Sequence, residues 1–196
     1  MSDPFELDNV QLATYLRKHI HGFETPLQSR KFAGGQSNPT YLLTTPEAKY
    51  VLRRKPPGKL LRGAHAVERE NRVLTALAGS EVPVAKALHL CEDESIIGSV
   101  FYVMQYLDGR ILWDPTLPQQ AAKDRGEIYQ EMNRVLAALH SIDIDAAGLG
   151  DYGKRGGYFE RQINTWTQQY KTAETIRIDN MDKLMTWLPA NMPEED

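Results

Sequence analysis

The sequence of 196 residues contains one cysteine, Cys91, and no long apolar run. A single thiol excludes an intramolecular disulfide, and no cysteine and histidine residues have the spacing of zinc ligands. A membrane-spanning helix needs about 18 or more consecutive apolar residues, and no such stretch occurs. The first residues also lack the cationic start and apolar segment of a secretory signal. We therefore expect a soluble, cytoplasmic protein with no membrane partner.

The sequence also lacks a strong overall charge, because its formal net charge is only -3. A nucleic-acid-binding domain is usually strongly basic, so no nucleic-acid partner is predicted. The charge is nevertheless uneven, since basic residues far outnumber acidic ones between Lys49 and Arg72. A solvated basic surface is the ordinary meaning of such a cluster, and a binding site for an anionic ligand is the alternative.

Two adjacent glycines, Gly34 and Gly35, lie shortly before this basic segment. Glycine has no Cβ and readily adopts φ > 0, so successive backbone N–H groups of such a turn can enclose an anion. The same pair is compatible with an ordinary tight β-hairpin. The turn therefore has two interpretations, a hairpin connection or a cradle for nucleotide phosphates.

Patterns of apolar and turn-forming residues predict one helix, then mainly strands, then helices. Asp8 is the predicted amino-terminal cap of the first helix, and Gln11 completes a capping box. Strands are predicted over residues 27–33, 40–44, 49–54, 86–91 and 100–107. A helix is predicted over residues 65–78, with Gly79 as its carboxyl-terminal cap.

After Leu107 the pattern becomes almost wholly helical, with helices predicted over residues 118–141, 157–174 and 179–188. We therefore predict a strand-rich domain over residues 1–107 and a helical domain over residues 108–196. Apolar residues recur at helical spacing in the later helices and are expected to pack in a core; they are Ile128, Met132, Val135, Leu136, Leu139, Trp166, Tyr170, Leu184, Trp187 and Leu188.

The order of these elements resembles the small lobe of the protein-kinase-like fold, and several sequence blocks are similar to the aminoglycoside phosphotransferase family. The blocks are Gly34-Gly35-Gln36-Ser37-Asn38, Val51-Leu52-Arg53, Glu68-Arg69-Glu70, Val82-Pro83-Val84 and Phe101 to Gly109. Residues 52–58 and 148–153 are similar to the branch with kinase-like domains fused to acyl-CoA dehydrogenases. The resemblance implies an α+β fold: a five-stranded antiparallel small lobe with a Glu-bearing helix, then the first helices of the large lobe.

The resemblance also implies an ATP site, since phosphoryl transfer depends mainly on positioning and charge neutralisation. Arg53 aligns with the strand lysine that binds the α- and β-phosphates in kinases, and Glu70 with the helix glutamate that pairs with it. Lys55 lies on the same side of its strand and remains the alternative phosphate ligand. Glu68 is expected to be solvated. The phosphates would be covered by backbone N–H groups of Gly34, Gly35, Gln36, Ser37 and Asn38.

In the same resemblance, the strand over residues 100–107 becomes the hinge that binds adenine. Backbone groups of Gln105 and Leu107 would bind the base, and Met104 would line the back of the pocket. Ordinary packing in the β-sheet core is the alternative role for Met104.

The catalytic residues of the family are not found in the sequence. The family's catalytic loop starts with His-Gly-Asp and carries an Asn five residues after the Asp, and a later Asp binds Mg²⁺. His140-Ser141-Ile142-Asp143 lacks both the glycine and the asparagine. We therefore expect a truncated amino-terminal fragment that holds no catalytic residue and no metal ligand, and that is inactive alone.

Two functions follow from these expectations. The first is an ATP-dependent phosphotransferase that acts on a small-molecule hydroxyl, with its general base and Mg²⁺ ligands outside this chain. The second is a nucleotide-binding or partner-binding module without catalysis. A hydroxylated acyl-CoA suits the branch better than a cationic aminoglycoside, because the helical part has no acidic excess. An acyl-CoA dehydrogenase is the implied fused or associated partner, and the missing third glycine argues against a protein kinase.

Overall fold

The computed structural model describes residues 5–33, 37–58 and 65–193. The chain divides into two compact units, Met1–Leu149 and Gly150–Asp196. The elements in chain order are α1 (Asn9–His19), β1 (Gln28–Lys31), β2 (Thr40–Thr44), β3 (Lys49–Arg54), α2 (Val67–Leu77), β4 (Ala87–Cys91), β5 (Phe101–Gln105), α3 (Ala122–His140), α4 (Tyr158–Ala173) and α5 (Asp179–Ala190). The change from strands to helices follows β5, while α3 belongs to the first unit.

The strands of the first unit form one five-stranded antiparallel sheet in the order β1-β2-β3-β5-β4, which confirms the predicted sheet. Thr40 on β2 lies opposite Arg53 on β3, and Arg53 lies opposite Tyr102 on β5. Directly paired residues of an antiparallel sheet point to the same face. These three side chains therefore form a row across the sheet.

Helix α1 covers one face of the sheet. Its side chains Leu12 and Leu16 are fully buried, and they belong to a cluster that includes Leu43, Leu52 and Phe101 from the strands. Burying each such side chain stabilises the fold by about 1.5–3 kcal/mol. Cys91 on β4 is part of this cluster, and only 1% of its surface is exposed.

The cap of α1 differs in one detail from the prediction. The Asp8 carboxylate accepts hydrogen bonds from the backbone N–H groups of Val10 and Gln11, both at 3.0 Å, as a cap should. The Gln11 side chain does not return to Asp8 and instead donates to the carbonyl of Ser95 at 3.4 Å. The predicted cap by Asp8 is therefore confirmed, but the predicted return contact from Gln11 was wrong. The Gln11 amide instead contacts a loop that is distant in sequence.

Helix α2 covers the opposite face. Val67 on α2 packs with Val100 and Tyr102 in a second buried cluster, and Leu74 lies against it. Gly79 follows the helix with φ of +83°, a left-handed conformation that suits the predicted cap. Because α2 lies on this face, a side chain that points from α2 to the sheet can reach the row formed by Thr40, Arg53 and Tyr102.

The later helices are confirmed, but part of their apolar stripe does not form a core within the described residues. On α3, Met132, Leu136 and Leu139 are exposed, and so are Trp166 and Trp187 in the second unit. In that unit α4 and α5 pack against each other. Among the described helices, none combines the length and apolar character that crossing a membrane requires.

Candidate functional site

The centre of the candidate site is an ion pair between β3 and α2. The Arg53 Nε atom lies 2.7 Å from Glu70 Oε2, and Arg53 Nη2 donates to Glu70 Oε1 at 3.4 Å. Glu70 lies three residues after the buried Val67 and four before Leu74, a spacing that turns it towards the sheet. The pair predicted from the sequence is thus formed in the structure.

Two further side chains hold the Glu70 carboxylate. Asn38 Nδ2 donates to Oε1 at 2.8 Å, and the Tyr102 hydroxyl donates to Oε2 at 3.1 Å. Burial, reinforced by the nearby Glu70 carboxylate, raises the pKa of Tyr102, so its hydroxyl remains a donor at neutral pH. Tyr102 was not among the predicted site residues; a hydroxyl within the otherwise apolar run Phe101 to Met104 is the signal that could have indicated an inward polar contact.

Asn38 is a buried polar residue, with 4% of its surface exposed. Its Oδ1 atom lies 3.1 Å from Nδ1 of His65, which lies two residues before the start of α2. The sequence analysis assigned only the backbone of Asn38 to the site, whereas the structure shows a role for its side chain. Of the other predicted cradle residues, Ser37 is exposed, while Gly34, Gly35 and Gln36 lie outside the described residues.

A second ion pair lies beside the first. Lys55 Nζ is 2.9 Å from Glu68 Oε1, and the two side chains are 22% and 37% exposed. The expectation that Glu68 is solvated was therefore wrong, because Lys55 follows Arg53 on the same face of the strand and reaches α2 as well. Both candidate phosphate ligands thus have an acidic partner on α2.

Arg54 lies apart from this group of cations. Its side chain is buried, and its Nε atom donates to Ser99 Oγ at 2.8 Å. Burial lowers the pKa of Arg54. Neighbouring residues of a strand point to opposite faces, so Arg54 points away from Arg53 and Glu70. The basic segment seen in the sequence is therefore divided between the two faces of the sheet.

The predicted base-binding residues lie at the end of β5. Met104 packs against the cluster formed with α2, and Leu107 is exposed beyond the strand. The N–H of Gln105 donates to the carbonyl of Lys86 at 2.9 Å. The N–H of Gln105 is therefore already used, and the carbonyl is the backbone group of Gln105 that could bind a base.

Metal-ligating side chains do not cluster in the described part of the chain. Within residues 5–33, 37–58 and 65–193, no group of three or more histidine, cysteine, aspartate or glutamate side chains could hold a metal ion. These residues therefore do not fit the Mg²⁺ that the resemblance implies.

Known proteins provide an independent comparison. The profile described as the phosphotransferase enzyme family matches residues 29–196. A Ralstonia eutropha protein of known crystal structure, assigned as an aminoglycoside phosphotransferase, is 52% identical with a TM-score of 0.80, and the match covers 97% of this chain and 55% of that chain. The GDP complex of aminoglycoside 2'-phosphotransferase-IIIa is 14% identical with a TM-score of 0.60, covering 94% of this chain and 59% of that one. These likenesses confirm the α+β kinase-like fold.

Curated relatives are longer proteins. Acyl-CoA dehydrogenase family member 10 of Mus musculus is 48% identical over 185 residues, which are 94% of this chain and 17% of that protein. Acyl-CoA dehydrogenase family member 11 of Homo sapiens is 41% identical over 195 residues, which are 97% of this chain and 25% of that protein. The chain thus spans a quarter or less of these two relatives.

Proposed function

Because the chain belongs to the phosphotransferase enzyme family, we propose that it forms the nucleotide-binding part of an ATP-dependent phosphotransferase whose acceptor is a small-molecule hydroxyl. The observation that supports this most is the Arg53–Glu70 pair, since an arginine is held on the sheet with its Nε atom 2.7 Å from a carboxylate. A cation fixed in this way can bind phosphate oxygens without first reorganising.

The guanidinium of Arg53 has donors left for this task. A guanidinium has five N–H donors, and Arg53 directs them to Glu70 and to Thr40 Oγ1, at 3.4 Å from Nη1. At least one N–H on each terminal nitrogen stays available for two phosphate oxygens, the geometry in which arginine binds phosphate best. Lys55 is the alternative ligand, since its ammonium has three N–H donors and gives one of them to Glu68.

The remaining roles complete the nucleotide site. Backbone N–H groups of Gly34, Gly35, Gln36, Ser37 and Asn38 cover the phosphates, which balances anionic charge with the positive ends of peptide dipoles. The base lies beside Met104 and accepts or donates hydrogen bonds at the carbonyl of Gln105 and the backbone of Leu107. We assign no catalytic base and no Mg²⁺ ligand to the residues of this chain.

The names of the curated relatives favour one biological setting. Both are called acyl-CoA dehydrogenase family members, and we propose that the whole protein works with such a dehydrogenase, fused or associated. A hydroxylated acyl-CoA is then a suitable acceptor. A nucleotide-binding module without catalysis is the second candidate, because the described residues contain no group fit to hold a metal ion.

The proposal is tested by binding of a non-hydrolysable ATP analogue, AMP-PNP, and of adenosine, measured by calorimetry on the whole chain. We expect the wild type to bind both. Arg53→Ala should lower AMP-PNP affinity by about tenfold or more, equivalent to about 1.4 kcal/mol, and leave adenosine affinity unchanged.

Arg134→Ala is the matched control, because Arg134 forms an exposed ion pair with Glu131 at 2.6 Å on α3. It should bind both ligands as the wild type does. Equal AMP-PNP affinity in wild type and Arg53→Ala would remove Arg53 from the site, and failure of the wild type to bind either ligand would refute the proposed function.

A further inference from the structure

We propose that Asn38 is a positioning residue that fixes the Glu70–Arg53 pair and links it to His65, in the segment that precedes α2. The proposal rests on the function proposed above, and it concerns a side chain that touches the carboxylate rather than the nucleotide. It derives from the contacts of Glu70, the burial of Asn38 and the contrast between the two ion pairs.

The Glu70 carboxylate accepts three side-chain hydrogen bonds and also lies in ion-pair contact with Arg53 Nε, an atom that makes no hydrogen bond among the described residues. A carboxylate has two oxygens with about four lone-pair sites. Oε1 faces Asn38 Nδ2 at 2.8 Å and Arg53 Nη2 at 3.4 Å. Oε2 faces Arg53 Nε at 2.7 Å and the Tyr102 hydroxyl at 3.1 Å. Asn38 and Tyr102 therefore set the plane of the carboxylate, and the carboxylate sets the plane of the guanidinium.

The neighbouring pair lacks this support. Glu68 receives Lys55 Nζ on Oε1 at 2.9 Å, while its Oε2 atom has no hydrogen-bond partner among the described residues. One contact fixes a distance but not an orientation. Of the two carboxylates on α2, only Glu70 is therefore held at both oxygens by side chains other than its cation.

The Asn38 side chain joins the ion pair to a second segment of the chain. It is buried, and its amide contacts groups from two other segments. Only the NH₂ end of the amide can donate to a carboxylate, so Oδ1 must face His65 Nδ1, which then carries the proton. One side chain thus connects the segment before β2, the segment before α2 and the ion pair.

The consequence concerns phosphate binding specifically. Without the Asn38 amide, Oε1 of Glu70 loses its closest partner, and the carboxylate can rotate with the guanidinium that it holds. The Arg53 guanidinium then adopts several orientations towards the phosphate oxygens, while the base site at the end of β5 is unchanged. Loss of Asn38 should therefore weaken binding of a nucleoside triphosphate and spare binding of a nucleoside.

The first experiment compares AMP-PNP and adenosine binding to the wild type, Asn38→Ala and Asn133→Ala, together with their melting temperatures. Asn133 is an exposed residue of α3 and serves as the matched control. We expect Asn38→Ala to lose AMP-PNP affinity by about tenfold and to keep adenosine affinity within about twofold. Unchanged AMP-PNP affinity, or equal losses for both ligands, would overturn the positioning role.

A second measurement needs no nucleotide and therefore separates this proposal from the function on which it rests. The arginine Nε–H resonances are recorded by ¹⁵N NMR and assigned with Arg53→Lys. Arg54 is the internal reference, since its Nε–H is bonded to Ser99 on the other face. Asn38→Ala should shift or broaden the Arg53 signal and leave the Arg54 signal in place. An unaltered Arg53 signal would contradict the proposal even if the wild type bound no nucleotide.

Discussion

Tyr102 and Arg53 lie directly opposite each other on adjacent strands, and both side chains reach the carboxylate of Glu70. The sheet places the two side chains on the same face about 5 Å apart at Cβ, close enough to share one acceptor on the covering helix. The site is therefore built on strands and a helix rather than on loops, which suits a group that must be held in a fixed orientation.

The hydroxyl of Tyr102 is expected to stabilise the fold as well as the site. Tyr102→Phe keeps the ring packing and removes the donor to Glu70, so we expect the free energy of unfolding to fall by about 1 kcal/mol. The measurement is chemical denaturation. Tyr170→Phe is the control, because the Tyr170 hydroxyl has no hydrogen-bond partner among the described residues. A loss of stability no greater than in the control would contradict the importance of the Tyr102 contact.

The two carboxylates of α2 are expected to differ in their effect on phosphate binding. Glu70→Gln turns an amide towards Arg53 and should lower AMP-PNP affinity by about tenfold. Glu68→Gln affects only the singly held pair with Lys55 and should change the affinity by less than about threefold. Calorimetric titration of both variants provides the comparison. A larger loss in Glu68→Gln would identify Lys55, rather than Arg53, as the main phosphate ligand.

The stability of the fold is expected to fall in mild acid because of His89 on β4. The His89 ring stacks on His19 with centroids 4.5 Å apart, and its Nε2 atom lies 2.9 Å from the Tyr15 hydroxyl. Burial, with the charge of His19 as a second cause, lowers the pKa of His89. A histidine of lowered pKa binds more protons unfolded than folded, so its stabilisation is present at neutral pH.

That stabilisation is lost as the pH falls through the ordinary histidine value of about 6.5 towards the lowered value. Melting temperatures recorded between neutral pH and mild acid should therefore decrease, and the decrease should be shallower in His89→Gln. Equal slopes in the two proteins would exclude His89 as the source. His21→Gln, which changes an exposed histidine after α1, is the control and should retain the wild-type slope.

The elements of the fold could be predicted closely because turn-forming residues delimit them. β2 and β3 have their predicted bounds. The turn at Pro46-Glu47 follows β2, and Pro56-Pro57-Gly58 follows β3, so turn-forming residues determine where each strand ends. β5 ends at Gln105, two residues earlier than predicted, because the apolar run continues past the last paired residue.

Contacts across the sheet were harder to predict. The Arg53–Glu70 pair was found because a family resemblance implied it, but the role of Tyr102 depends on β5, rather than β4, lying beside β3. Nothing local in the sequence states that order. Glu68 was expected to be solvated because its contact with Lys55 depends on how α2 packs on the sheet, which the local sequence does not indicate either.

The alternation along β3 has a consequence for errors in strand pairing. Arg53 faces Glu70 and Arg54 faces the other side, so a slip of one residue would still present an arginine to the carboxylate. The ion pair alone cannot distinguish the correct pairing from the slipped one. Leu52 can, because it is fully buried under α1 and would be moved to the face that carries the charges, while Lys55 would be moved to the apolar face. The strand register that forms the charged site thus depends on a leucine on the opposite face of the sheet.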